Sequence, residues 1–217
     1  MAASSGCDAI PEVLTVQPQE EHLQTLVFLH GFRMKAYEML DTFVEISRKL
    51  KNWKFVLPQA PEMKISAYQG EVMHSWFDYL TDCAGAQEDT VDIFGLRATK
   101  AALQELVMQE AALLPSGRRV CLGGLSQGGC MALHLATFVE LRAVVTLVAC
   151  RLSVSCTRPL RCPWSACVAT NDEVFPASWS TALLVGATSI RKIEDSHYLE
   201  VTDVSETILK LLLDIKD

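Results

Sequence analysis

The stretch CLGGLSQGGCMALHLATF, Cys121 to Phe138, holds one serine between paired glycines, and a small-residue apolar segment runs on from it. Gly124-Leu125-Ser126-Gln127-Gly128 satisfies the pattern G-x-S-x-G. It lies between an apolar run, Arg119 to Leu122, and a helical segment starting at Ser126, which predicts a strand, a tight turn and a helix. The glycines have a steric reason. A serine lifted on so sharp a turn presses its neighbours against adjoining elements, where side chains would collide. The helix N-terminus that follows favours negative charge beside the serine oxygen. The same residues also suit a turn that merely packs a helix onto a strand, so the rest of the chain has to decide.

Working outward, Leu26–Leu29, Lys54–Leu57, Ala143–Val148, Ala166–Ala169 and Ser189–Ile193 read as short buried strands. Asp89 to Leu114 and Val204 to Ile215 carry apolar residues at helical spacing. Strands that are apolar on both faces and alternate with helices imply a mostly parallel sheet covered on both sides, with sites at the carboxyl ends of its strands. The expected fold class is therefore α/β, with residues 1–217 forming one domain and residues 1–24 an N-terminal extension that can supply an edge strand.

A serine is a poor nucleophile unless a base stands within hydrogen-bond reach and a carboxylate orients that base. With this form of the motif the partners follow in the chain order serine, acid, histidine. Two of the five histidines come after Ser126. His134 lies within the following helix and reads as a helix residue. His197, in Ile193-Glu194-Asp195-Ser196-His197-Tyr198, follows the last strand and is the candidate base. Between them Asp172 and Glu173 stand just beyond a strand; Asp172 is the preferred acid and Glu173 the fallback, while Asp195 reads as a solvated loop charge. Two backbone N–H groups complete such a site by receiving the oxyanion. Gln127, next to the serine, supplies one, and Phe32, in the loop FLHGF after an early strand, supplies the other. His30 in that loop reads as a bracing residue.

The composition sets limits on partners and location. The chain has 217 residues, a formal net charge of −7 and no basic cluster, which argues against nucleic acid as a partner. No segment reads as a secretion signal, and runs such as LRAVVTLVAC are too short to span a bilayer. A cytoplasmic location is expected, with at most transient contact with a membrane surface. The eight cysteines include no C-x-x-C pair and several sit in apolar runs, so reduced core thiols are expected rather than a zinc site or a disulfide framework. Cys7, near the N-terminus, is an acylation candidate on thin grounds.

With FLHGF, PQAP, SWFDY, GGLSQGGCMAL, NDEVFP and SHYLE in order, the chain resembles the acyl-protein thioesterase family, in the phospholipase/carboxylesterase branch of the α/β-hydrolases. The resemblance runs from about Thr25 to the C-terminus and implies an α/β-hydrolase fold. By position it implies Ser126 as nucleophile, Asp172 as acid, His197 as base, and the Phe32 and Gln127 amides as oxyanion donors. It also places Trp76 and Asp78 near the active site, and Trp76, Met73 and Phe175 are the expected substrate-binding residues. Such enzymes use neither cofactor nor metal. They hydrolyse thioesters of palmitoylated proteins, and also simple carboxylic esters and lysophospholipids.

The implied function is hydrolysis of acyl thioesters or esters, above all depalmitoylation, by a monomer or weak dimer. The alternatives are a carboxylesterase or lysophospholipase, and a non-catalytic relative that binds an acyl group or a protein. The chain departs from the resembled patterns at three places. His30-Gly31-Phe32-Arg33-Met34 stands for H-G-L-G-D, Val168-Ala169-Thr170-Asn171-Asp172 keeps only the aspartate of H-G-x-x-D, and Cys150 to Pro163 is an Arg- and Cys-bearing loop expected to shape substrate choice. Met63 to Met73 reads equally as an acyl-channel wall and as a plain surface loop.

Overall fold

A computed structural model describes residues 10, 12–81, 91–152, 154, 158–175, 186–200 and 202–215. Among them a seven-stranded sheet forms the centre of the molecule. Its strands are β1 (Val13–Val16), β2 (Gln24–Leu29), β3 (Trp53–Pro58), β6 (Cys121–Leu125), β7 (Ala143–Leu147), β8 (Trp164–Ala169) and β9 (Ser189–Ile193), in the spatial order β1-β3-β2-β6-β7-β8-β9. All neighbouring pairs are parallel except β1 with β3 at the edge. The edge strand expected within the first 24 residues is β1, which pairs Val13 with Pro58 and Val16 with Phe55.

The sheet is parallel because its inner strands are buried throughout: every residue of β2, β7 and β8 is out of solvent. Alternation along β2 sends Leu26 and Phe28 to one face and Val27 and Leu29 to the other. On the first face they meet Phe43 and Ile46 of α1 (Leu40–Lys49) and Ile208, Leu211 and Leu212 of α4 (Val204–Leu213). On the second they meet Leu96, Leu103 and Val107 of α2 (Ile93–Ala112) and the buried helix α3 (Gln127–Leu135). The Asp92 carboxylate caps α2 by accepting from the Phe94 and Gly95 amides, and Asp203 caps α4 through the Glu206 amide. Among the described residues no helix is long and apolar enough to cross a membrane.

Three expectations change here. The strand read over Arg119–Leu122 starts at Cys121 and continues to Leu125. Gly123 belongs to it because Phe28 and Val145 close on that position, where a Cβ would lie 2.8 Å from the Phe28 ring. The helix read over Asp89–Leu114 is bounded by its aspartate cap at Asp92 and ends at Ala112; positions 89 and 90 lie outside the described residues. The segment Met63 to Met73 is mostly a two-stranded antiparallel ribbon, β4 (Glu62–Ile65) with β5 (Glu71–His74), joined through a short 3-10 turn at Ser66–Tyr68.

Candidate active site

Ser126 stands at the end of β6 and opens α3 with φ 51° and ψ −121°, a backbone conformation that side chains other than glycine seldom adopt. Its amide donates to the Leu147 carbonyl of β7 at 2.9 Å, which fixes the turn to the sheet. The glycines around it allow the close approach. A Cβ on Gly124 would sit 2.4 Å from the Gly128 backbone, and one on Gly128 would sit 2.2 Å from the Leu29 carbonyl oxygen. The start of α3 thus lies directly on the end of β2, which sets the Gly31–Arg33 loop beside Gln127.

The later loops bring the other side chains to the serine. His197 Nε2 lies 2.7 Å from Ser126 Oγ, and His197 Nδ1 lies 3.0 Å from both carboxylate oxygens of Asp172. Asp172 and His197 are buried. Asp172 Oδ1 accepts from the Val174 and Phe175 amides at 2.9 and 2.6 Å, bonds that fix the carboxylate in place beside the imidazole. Glu173, the fallback acid, touches the histidine only through its backbone, accepting from the His197 amide at 3.3 Å. Asp195 corrects the reading of a solvated charge: it is buried and accepts from the Ser196 and Thr202 amides, so it shapes the loop that carries His197.

The two expected oxyanion donors flank the serine. The Gln127 amide is in the first turn of α3, where N–H groups lack helical acceptors. The Phe32 amide has no protein acceptor among the described residues. Both are held by a buried polar lattice. The Gln127 side chain accepts from the Trp76 amide at 2.9 Å and donates to Ser75 Oγ and the Phe77 carbonyl at 2.8 and 3.0 Å. Trp76 Nε1 donates to the His30 carbonyl at 2.8 Å. His30 Nδ1 donates to the Gly31 carbonyl, and its Nε2 accepts from the Ala60 amide and from Gln59 Nε2. These bonds require a neutral imidazole.

Burial accordingly pushes the His30 pKa down from 6.5 to about 4. The folded state refuses a proton that the unfolded chain takes up below pH 6.5, so this residue's stabilisation falls away as pH drops from 6.5 towards 4. Urea unfolding should therefore show a loss of about 2 kcal/mol from His30 on going from pH 7.5 to pH 5.0. His134, also pushed by burial to about 4, adds in the same direction. Undiminished stability at pH 5.0 would contradict this.

A cleft of about 480 Å³ opens over the serine. Ser126 and His197 are in its wall with Gly31, Phe32, Arg33 and Tyr68. Met34, Met39, Leu125, Val174, Leu199 and Val204 make much of the rest of the lining apolar. The three expected substrate-binding residues are not in this wall, which corrects that expectation. Trp76 is fully buried behind the loop it braces, Phe175 packs edge-on beneath the His197 ring, and Met73 lies under Arg33. Asp78 likewise ties down the turn of the ribbon, accepting from the Ser66 amide and hydroxyl.

Tyr68, Val174 and Tyr198 take the lining positions instead. The signal for two of them was adjacency, since Tyr198 follows the candidate histidine and Val174 lies two residues after the acid. None of the described part of Cys150–Pro163 lines the cleft, contrary to the expectation that this loop shapes it. Cys7 lies outside the described residues. Cys121, Cys130, Cys162 and Cys167 are free thiols, and burial pushes Cys121 to about 12 and Cys162 and Cys167 to about 11. Among the described residues no group of three His, Cys, Asp or Glu side chains is placed to hold a metal ion.

A mostly parallel sheet of this order, with a serine on the turn after a central strand and a histidine and an acid on later loops, defines an α/β-hydrolase. Residues 11–177 match the sequence profile of the phospholipase/carboxylesterase family. The chain belongs to that family. It is 33% identical over 138 residues to acyl-protein thioesterase 1 of Cryptococcus neoformans, an alignment covering 62% of this chain and 57% of that protein. It is 25% identical over 209 residues to acyl-protein thioesterase 1 homolog 2 of Dictyostelium discoideum, covering 90% of each. In fold it is similar to Zea mays acyl-protein thioesterase 2, with TM-score 0.73 and 20% identity over 94% of this chain and 98% of that one. The Bacillus cereus carboxylesterase shares the fold at TM-score 0.74 and 15% identity, covering 94% of each chain.

Proposed function

We propose that the chain is a serine hydrolase of acyl thioesters and esters, with depalmitoylation of S-acylated proteins as its leading activity. The observation that carries this reading is the unbroken line Ser126–His197–Asp172, with contacts of 2.7 and 3.0 Å, whose serine and histidine line a largely apolar cleft. In the first step Ser126 Oγ attacks the acyl carbonyl while His197 Nε2 takes its proton. Asp172 holds the imidazole with Nδ1–H towards the carboxylate and stabilises the imidazolium. The Gln127 and Phe32 amides receive the charge that builds on the carbonyl oxygen. His197 then gives the proton to the leaving thiol or alcohol. Water repeats the sequence on the acyl-enzyme and releases the acid.

The apolar wall from Met34 to Val204 favours an acyl chain, and the names of the fungal and amoebal relatives favour a protein thioester as substrate. The family's own description supports a second reading, a carboxylesterase or lysophospholipase. A fluorophosphonate probe should label the protein, and peptide mass spectrometry should locate the adduct on Ser126. Labelling elsewhere, or none, would sink the mechanism. Rates on butyryl, octanoyl and palmitoyl esters, followed by a palmitoylated peptide, separate the substrate readings. A steep fall with chain length would count against depalmitoylation.

A further inference from the structure

The residue after the proposed oxyanion donor is an arginine in a backbone conformation that suits glycine. Arg33 has φ 65°, at the place where the resembled pattern H-G-L-G-D has glycine. A strained conformation kept on an arginine calls for something its side chain does. That side chain is tied down at its root and along its length. The Arg33 amide donates to the His74 carbonyl at 3.0 Å, Nε donates to Met73 Sδ, and the guanidinium stacks 4.3 Å from the centre of the Tyr68 ring and 5.2 Å from that of Phe32. Stacking and the Nε bond leave the two terminal nitrogens for other acceptors, and Arg33 makes no ion pair among the described residues. Tyr68, Phe32 and Arg33 all line the cleft that holds Ser126.

Among the described residues, the other titratable groups facing the cleft are His197, Tyr68, Tyr198 and Glu38. Glu38 is turned to the backbone of its own turn, accepting from the Lys35 amide at 2.7 Å. Among the described residues Arg33 is therefore the cation of the cleft, in a chain of net charge −7, and it is held in place before any ligand arrives. A planar guanidinium fixed in this way matches a carboxylate or phosphate, and the cost of ordering it is met in the free protein.

We infer that Arg33 receives an anionic group of the substrate, so that the preferred substrates are esters or thioesters bearing a carboxylate or phosphate close to the scissile carbonyl. This rests on the serine hydrolase reading above. Two matched pairs of esters test it. In one the charge is on the leaving group, para-butyryloxybenzoate against its methyl ester, followed by phenol release. In the other it is on the acyl chain, mono-para-nitrophenyl adipate against para-nitrophenyl hexanoate.

The quantity read is the ratio of kcat/KM for the charged to the neutral ester. Arg33→Gly should lower that ratio about fivefold in at least one pair, mainly through KM, the size expected of a solvent-exposed charge contact. Glycine suits φ 65°, so this variant should keep its thermal midpoint, and the change cannot be laid to unfolding. Arg33→Lys keeps the charge but loses the stacked fork, so it should retain only part of the preference, and added salt should erode the preference in the wild type. Ratios that stay put in Arg33→Gly in both pairs overturn the inference. If the wild type cleaves none of the four esters, the hydrolase reading falls as well; turnover of all four without discrimination removes only the role of Arg33.

Discussion

Replacing Ser126 with alanine should lower kcat on para-nitrophenyl esters by about a million-fold, with KM and thermal midpoint close to wild type. The size of the effect follows from the proposed chemistry. Without Oγ there is no acyl-enzyme, and His197 has no proton to move. The oxyanion donors and the cleft would leave roughly a thousand- to ten-thousand-fold acceleration over water. The fold should not notice the change. The Ser126 backbone is anchored by its own amide on Leu147, and among the described residues its side chain bonds only to His197. Asp172→Asn should cost about ten-thousand-fold, because an amide can hold the imidazole in the wrong tautomer. Glu173→Gln should cost little, since among the described residues the Glu173 carboxylate meets the His197 amide and not its ring. Substantial turnover by the Ser126→Ala protein would assign the chemistry elsewhere.

Much of this was legible in the sequence, for identifiable reasons. Buried parallel strands write themselves as continuous apolar runs, so β2, β3, β7 and β8 could be placed to within a residue or two; β9 was placed as well, but it is partly exposed along its length rather than buried as expected. The order serine, acid, histidine singled out Ser126, Asp172 and His197, which the structure brings together. What failed was direction rather than proximity. Trp76, Met73 and Phe175 are close to the site in the chain, but a large apolar side chain beside a loop can brace it from behind as readily as line it from the front. Only the hydrogen bond from Trp76 to the His30 carbonyl tells which. Asp195 misled for a related reason: two amides of its own loop neutralise the cost of burying it, and backbone donors leave no mark in a sequence. The β4–β5 ribbon was missed because its strands are four residues each and half exposed, too short for a clear alternation.

The second large effect is expected from a single methyl group. Gly128→Ala should destabilise the protein by about 3 kcal/mol and lower kcat/KM by about a hundred-fold in the fraction that folds. The added Cβ would lie 2.2 Å from the Leu29 oxygen and 2.4 Å from the His30 oxygen. Both are backbone atoms at the buried end of β2, so neither can rotate away. Contact can be relieved only by moving α3 off the strand by about 1 Å, to an ordinary C···O separation. That shift separates the Gln127 amide from the Phe32 amide, which the proposed mechanism requires to converge on one oxygen. Gly117→Ala is the control. Nothing lies within 4 Å of its Cβ position, and its φ of +84° predicts only a conformational cost of about 1 kcal/mol with activity kept. A Gly128→Ala protein with wild-type midpoint and turnover would mean that the elbow and the oxyanion loop are not coupled through this contact. The expected outcome instead ties the pattern of paired glycines to catalysis through packing: they let the helix that starts at the serine touch the strand that leads to the oxyanion loop.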